Sequence, residues 1–492
     1  MIPRYADSRI TMLFTDEAKL MRWQQVELAV IRARADLGLV SDEVFRSVAS
    51  ILEPIPFDIK WWLARDKEIH HDLNAFIEER SRHLPAHLTS EFHRDMTSYD
   101  TEDPAFALAL ISAAEMFEND LAELMFLIGG IADQYRDIVM LRRTHGQGAK
   151  LGTFGGRVLT WHAMLNDLFD PLTESVKRCS RSRISGAVGN YGGNMTPDIE
   201  LVALRQLRLK PFYGATQITP RSVFVPLAQN IQLVVECLGK IALDVRLMAR
   251  SGLPLVHEPF AKVQKGSSAM PHKKNPIRTE QVEGLVKLVR GQVLSIIETI
   301  PTWEERAIEQ SCVERVAWPD LFHTALRTIS VMKQVLGGLV VYPRNMLEEI
   351  VQSRGTYASD EAKNFLATEF AKKGIPAEDA YRIVQLASFN AFASTRSSDF
   401  RSPTSEGFQL ADDVVLGYRE VEVTVESIST RIVEGRLFSV PDLQASDSDV
   451  ERWNTSLKRL FSDSDLRRGW FEVFRPSNLL HSETFLFEKV LG

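Results

Sequence analysis

GSSAMPHKKNP, residues 266–276, lies between an apolar stretch that ends near Gly252 and another that begins near Glu280. Gly266, Pro271 and Pro276 break any regular element across it, so two serines, a histidine, two lysines and an asparagine are gathered on irregular backbone. Its flanks decide the fold class. Three segments, residues 105–140, 222–251 and 279–300, are longer and more apolar than a surface helix needs, which suits helices packed inside a bundle or against other subunits. From Leu20 the apolar residues Trp23, Val26, Val30, Ala33 and Leu37 alternate steps of three and four, and Gly38 follows as a stop signal. Strand-like alternation is scarce. The chain reads as all-α, with no internal repeat and no low-complexity tract.

Composition narrows the function classes. With 492 residues, 45% hydrophobic and 25% charged, the chain is globular and can bury one large core or two to three domains. A net charge of −7 and a pI near 6.0 supply no basic field for a polyanion, so nucleic acid is not an expected partner. Cys179, Cys237 and Cys312 are far apart in sequence, which argues against a disulfide framework and a zinc site and for a reducing compartment. The start MIPRYADSRITMLF lacks the pattern of a signal peptide, and no run reaches the ~18 to 20 apolar residues of a membrane span. A cytoplasmic protein without a membrane partner is expected.

The unusual residue mixtures sit in loops: EFHRDMTSYDTEDP (91–104), RRTHGQGAKLGTFGG (142–156), SRISGAVGNYGGNMTP (182–197), FYGATQITPR (212–221) and the opening segment. Each has a bland reading taken alone: Gly-Ser-Ser as a solvated turn, Thr144-His145-Gly146 as a helix cap, His70-His71-Asp72 as a polar helix face. A metal reading of the adjacent histidines is weak, because neighbours on a helix point about 100° apart and no i, i+4 partner is present; no metal is expected. Together the loops supply a chemistry. An elimination beside a carboxylate needs a base for the carbon proton, donors for the charge that gathers on the carboxylate, and an acid for the leaving atom. Serine is a base only where its oxyanion is stabilised, and Lys273 and Asn275 lie near enough in sequence to help.

The segment GSSAMPHKKNP closely resembles the signature loop of the fumarase/aspartase superfamily, whose members eliminate fumarate from substituted succinates. Further motifs, HHDLNAF (70–76), FHRDMTSYD (92–100), RTHGQ (143–147), TQ (216–217) and WEERAIEQSCVERV (303–316), resemble the adenylosuccinate lyase family in the same order, and Arg4-Tyr5 matches its N-terminal nucleotide contact. The likeness runs to about residue 440. It implies β-elimination without a cofactor, with Ser267 as base, His145 as acid and His71 orienting that step. It also implies that Lys273 and Asn275 hold the succinyl carboxylate and that Thr97 and Ser98 touch the other carboxylate. Gln217, Met270, Arg306, Ser311 and Arg315 match further substrate contacts, with Arg4, Tyr5 and His93 on the nucleotide side.

The resemblance further implies three mostly helical domains, the central one a long-helix bundle that builds a homotetramer with shared active sites. The expected division is residues 1–104, 105–342 and 343–440, followed by an aromatic-rich extension, 441–492, with Trp453, Phe461, Trp470, Phe471 and Phe474. Departures are also visible. Asp95 stands where the family usually has glycine, Pro104 follows Asp103 where threonine is usual, Leu151 replaces a proline, and Arg278 with Thr279 replace small residues. Two alternatives stay open: a related lyase acting on another substituted succinate, and a catalytically silent paralogue that keeps the tetramer.

Overall fold

The computed structural model describes residues 1–393, 427–440, 443 and 445–492. Residues 394–426, within the expected C-terminal helical domain, lie outside the described residues. The described chain is dominated by helices, with three two-stranded sheets. It divides into two compact units, each assembled from three stretches: residues 1–125, 164–243 and 277–335 form the first, and residues 126–163, 244–276 and 336–492 the second.

The first unit takes its framework from long helices. Ser98–Gln134, Val225–Met248 and Ile277–Ile297 answer the three long apolar segments, and Glu309–Gly337 adds a fourth of 29 residues. Leu110, Phe117, Leu227, Leu238, Val289 and Phe322 are fully buried along them. Phe106 meets Phe224 edge-on at 5.5 Å and Trp318 at 6.3 Å, which fixes how these helices approach. Asp16–Asp36 is the helix that the spacing from Leu20 indicates. The Thr15 hydroxyl caps it by accepting from the Ala18 N–H, Asp16 and Glu17 favour its positive end, and Gly38 follows at φ +72°.

In the second unit, shorter helices begin at Pro343–Gln352. The aromatic tail does not form a core of its own: Trp453, Leu457, Phe461, Trp470 and Phe474 share one with Leu366, Phe370, Ile383 and Ile432. Trp470 is fully buried, lies 5.2 to 5.6 Å from the rings of Phe461, Phe474 and Phe365, and donates its indole N–H to the Ser429 carbonyl at 3.1 Å. Truncating such a residue to alanine costs about 3–5 kcal/mol. Phe471, by contrast, stays exposed.

One stretch departs from the expectation of irregular backbone. Val139–Thr144 and Gln147–Thr153, β1 and β2, pair antiparallel, with His145 at φ +52° and Gly146 at φ +76° between them. Two successive left-handed residues are what a tight hairpin turn demands. Gly148 and Gly152 inside β2 hid this strand pair, since glycine disfavours strands by propensity. Leu151, one of the departures, pairs with Leu141 across this ladder and is buried. None of the described helices is long and apolar enough to cross a membrane.

Candidate active site

The first unit holds most of the expected substrate contacts, and each is fixed by local geometry. His70 ends the helix Ile59–Ile69 in the left-handed region, at φ +53°, and His71 opens the next, Asp72–Ser81. The two histidines therefore mark a helix junction and are not one polar helix face. His71 Nδ1 accepts the Asn74 N–H at 3.2 Å, so in the neutral ring the proton sits on Nε2, free to be donated. Asp72 receives Lys19 at 3.0 Å and Arg315 at 2.9 Å. Burial works against its charge, but the two cations outweigh it and hold its carboxyl below the usual range.

Thr97 and Ser98 sit at the start of the helix Ser98–Gln134, where the Asp100 carboxylate accepts the Thr97 N–H at 2.8 Å. Asp100 in turn meets Arg183 at 2.8 Å with both side chains fully buried. Arg306 lies 4.1 Å over the Tyr99 ring and donates to Gln217 Oε1 at 3.1 Å, while the Gln217 amide donates to the Ala187 carbonyl at 3.0 Å. Gln217, Tyr99 and Arg306 are thus brought together. Ser311 opens the helix Glu309–Gly337 one turn before Arg315, and both line a cavity of about 580 Å³ with Lys19, Tyr99, Glu102 and Asp103. Arg4 and Tyr5 lie on the 3-10 turn Pro3–Tyr5, with Arg4 exposed.

His93 stands at φ +59° and donates its own N–H to Glu27 at 3.1 Å, with Nδ1 2.8 Å from the same carboxylate. Burial disfavours the imidazolium, yet Glu27 prevails and raises the His93 pKa. Asp95, the second departure, has φ +58°. Glycine takes that conformation freely and aspartate is among the few side chains that tolerate it. Asp95 also reaches Arg34 at 3.1 Å, so the replacement brings its own anchor.

The second unit carries His145, Ser267, Met270, Lys273 and Asn275. His145 is exposed at the hairpin apex. The hairpin below it is tied down: Arg143 pairs with Glu349 at 2.6 Å, Lys150 with Glu361 at 2.7 Å, and Glu483 accepts both the Thr153 N–H at 3.1 Å and its hydroxyl at 2.6 Å. The signature segment closes on itself. Ser267 Oγ accepts the Met270 N–H at 3.1 Å, the Met270 carbonyl accepts the Lys273 N–H at 3.0 Å, and the Asn275 amide donates to the Gly266 carbonyl at 3.0 Å. A Cβ on Gly266 would stand 2.0 Å from the Lys273 carbonyl oxygen, so only glycine permits this closure. Met270, Lys273 and Lys274 are exposed, and Ser267 is half-buried. An N–H aimed at Oγ favours its ionised form, as a serine base requires.

A family model described as lyase matches residues 5–291. An adenylosuccinate lyase from Synechocystis sp. is 35% identical over 403 residues, 81% of this chain and 90% of that protein. The chain belongs to the adenylosuccinate lyase family. A second family member, from Thermotoga maritima, is 34% identical over 385 residues, 78% of this chain and 87% of its own. In fold, a crystal structure of a fumarate lyase from Mesorhizobium sp. BNC1 superposes with a TM-score of 0.78 at 21% identity, covering 100% of this chain and 99% of its own. A β-carboxy-cis,cis-muconate cycloisomerase from Acinetobacter calcoaceticus reaches 0.75 at 18% identity, covering 99% and 98%.

The acidic partners Glu27, Asp72, Glu102 and Asp103 carry no local mark of that role in the sequence. Asp72 and Glu102 stand inside quoted motifs, and their spacing from Lys19 and Arg315 in sequence gives no hint of contact. Arg221, buried between Asp103 at 3.0 Å and Glu314 at 2.7 Å, was equally invisible.

Proposed function

We propose that the protein catalyses the reversible β-elimination of fumarate from adenylosuccinate, giving AMP, and from succinylaminoimidazole carboxamide ribotide. The observation that carries this reading is the identity of 30–35% to relatives named adenylosuccinate lyase, over 86–90% of their length. In the proposed mechanism Ser267 Oγ takes the proton from the carbon beside the carboxylate. Lys273 and Asn275 hold that carboxylate as it gains charge, and the C–N bond breaks as His145 protonates the departing nitrogen. His71, presenting Nε2–H, orients the leaving side. Thr97 and Ser98 receive the second carboxylate, and Met270 packs against the substrate from the signature segment. Gln217, Arg306, Ser311 and Arg315 grip the remaining oxygens, with Arg4, Tyr5 and His93 at the nucleotide. Arginine suits phosphate and carboxylate alike because its donors form a fixed fork.

The proposed assembly is a cytoplasmic homotetramer in which each active site draws loops from three subunits. Leu233, Leu243, Leu288 and Leu294 support it: they lie 45–60% exposed on the long helices, an apolar surface that an isolated chain would show to water. Light scattering of the purified protein tests the oligomer, and release of fumarate from adenylosuccinate tests the reaction. A second reading keeps the elimination and changes the amine. What favours it is the pair of carboxylates, Asp72 and Glu102, beside Arg315, which weakens the pull on a phosphate.

A further inference from the structure

Glu102 lines the 580 Å³ cavity with Ser311 and Arg315, and the proposed mechanism gives it no task. Its side chain is 14% exposed and its Oε2 lies 3.8 Å from Arg315 Nη2, too far for a hydrogen bond but close enough to set the local field. The same nitrogen is already bonded to Asp72 at 2.9 Å. Other groups face Glu102 too: Lys19 from the helix Asp16–Asp36, Arg306 before the helix Glu309–Gly337, and Tyr99 and Asp103 on its own helix. Arg221 lies between Asp103 and Glu314, and Arg22 donates to the Leu13 carbonyl at 2.9 Å. Asp16, Asp320, His323 and Met1 with its amino terminus line the same cavity.

An anion that docks on Arg315 adds negative charge beside two carboxylates. We propose that Glu102 is a specificity-determining residue at this end of the cavity: a phosphate or carboxylate oxygen binds Arg315 only when Glu102 carries a proton, which it then shares with the incoming anion. The proposal rests on Arg315 being a substrate contact. The surroundings support it. Burial first, and then the charge of Asp72, push the Glu102 carboxyl up to about 7, against the pull of Arg315, Lys19 and Arg306. Near neutral pH the residue is therefore poised between its two forms, and binding of an anion draws the proton in by linkage. An ionised Glu102 rejects the anion; a protonated one donates to it, and the site gains one unit of positive charge.

Calorimetric titration of the full chain with AMP, fumarate and inorganic phosphate tests this, from pH 6 to pH 8.5, beside Glu102→Gln. Taking the ratio of the two proteins' affinities cancels the ligand's own titration. The expected result is near-equal binding at pH 6 and about tenfold or greater weakening of wild type relative to Glu102→Gln at pH 8.5. Wild type also takes up protons on binding, read from two buffers of different ionisation heat, and the variant takes up fewer. A ratio that stays constant with pH for every ligand overturns the proposal, as does failure of all three to bind. Change with AMP or phosphate marks a phosphate site, and change with fumarate alone marks a carboxylate site. Change with fumarate while AMP fails to bind keeps the Glu102 proposal and removes the nucleotide reading; AMP binding with a ratio that is constant for every ligand does the reverse. Should Glu102→Gln fail to fold, wild-type proton uptake no greater than that of AMP itself overturns the proposal.

Discussion

Arg315 and Lys273 are both cations that the proposed mechanism offers to substrate anions, yet their surroundings are opposite in kind. Arg315 belongs to a charge cluster in which Asp72, Lys19 and Glu102 are each half-buried or better and each shifts its neighbours. Lys273 is exposed, on a segment held by its own backbone and by the Asn275 amide. The first arrangement would couple binding to folding, because the groups proposed to meet substrate also tie helices together. In the second, the proposed chemistry falls to a loop whose internal bonds hold its own shape. Variants in the signature segment should therefore lose rate at constant stability, and variants in the first unit's charge clusters should lose stability as well.

The largest effect is expected from Ser267→Ala. Its hydroxyl bonds only the Met270 N–H among the described residues, so turnover should fall roughly 10²- to 10⁴-fold while the melting midpoint stays within experimental error. A drop in both would erase the contrast. Gly266→Ala comes next. Its methyl would press on the Lys273 carbonyl, and an overpacking cost of about 1–3 kcal/mol, borne by the loop alone, should lower kcat/KM by about five- to a hundredfold without moving the melt.

Glu27→Gln sharpens the other side of the comparison. Glu27 is fully buried and accepts from the His93 N–H and, at 2.6 Å, from the Thr101 hydroxyl, so its loss should destabilise the protein by about 1–3 kcal/mol in denaturant titrations. Part of this depends on pH. Burial opposes the His93 charge but Glu27 raises its pKa overall, so the charged pair stabilises fully below the unfolded histidine value near 6.5 and that stability is lost as pH rises through the folded value. The gap between wild type and variant should narrow from pH 6 to pH 9. The smallest effect is expected at Arg143→Ala. Its partly exposed pair with Glu349 should contribute about 0–1 kcal/mol, leaving the His145 hairpin in place and activity within a few-fold.

What the sequence showed and what it hid follow from how far each signal reaches. Long apolar helices announce themselves by period, as from Leu20 to Leu37, and the signature segment by its prolines and polar residues. Motif order singled out His71, Thr97, Gln217, Arg306 and Arg315; all five lie in the first unit, each with a defined partner. The His145 hairpin stayed hidden because Gly148 and Gly152 masked its second strand. The pairs Glu27–His93, Arg183–Asp100 and Arg221–Glu314 join positions 66, 83 and 93 residues apart, and nothing local marks such buried charges. Asp95 shows the converse: a departure that sequence alone left unexplained becomes a left-handed residue with its own cation.

The most direct measurement is a stopped assay of purified protein with adenylosuccinate, following purine absorbance and fumarate together, with Ser267→Ala run alongside. Equal amounts of AMP and fumarate are expected from the wild-type protein and almost none from a folded variant. No fumarate from a well-folded wild-type protein would contradict the substrate, and undiminished release from Ser267→Ala would contradict the base.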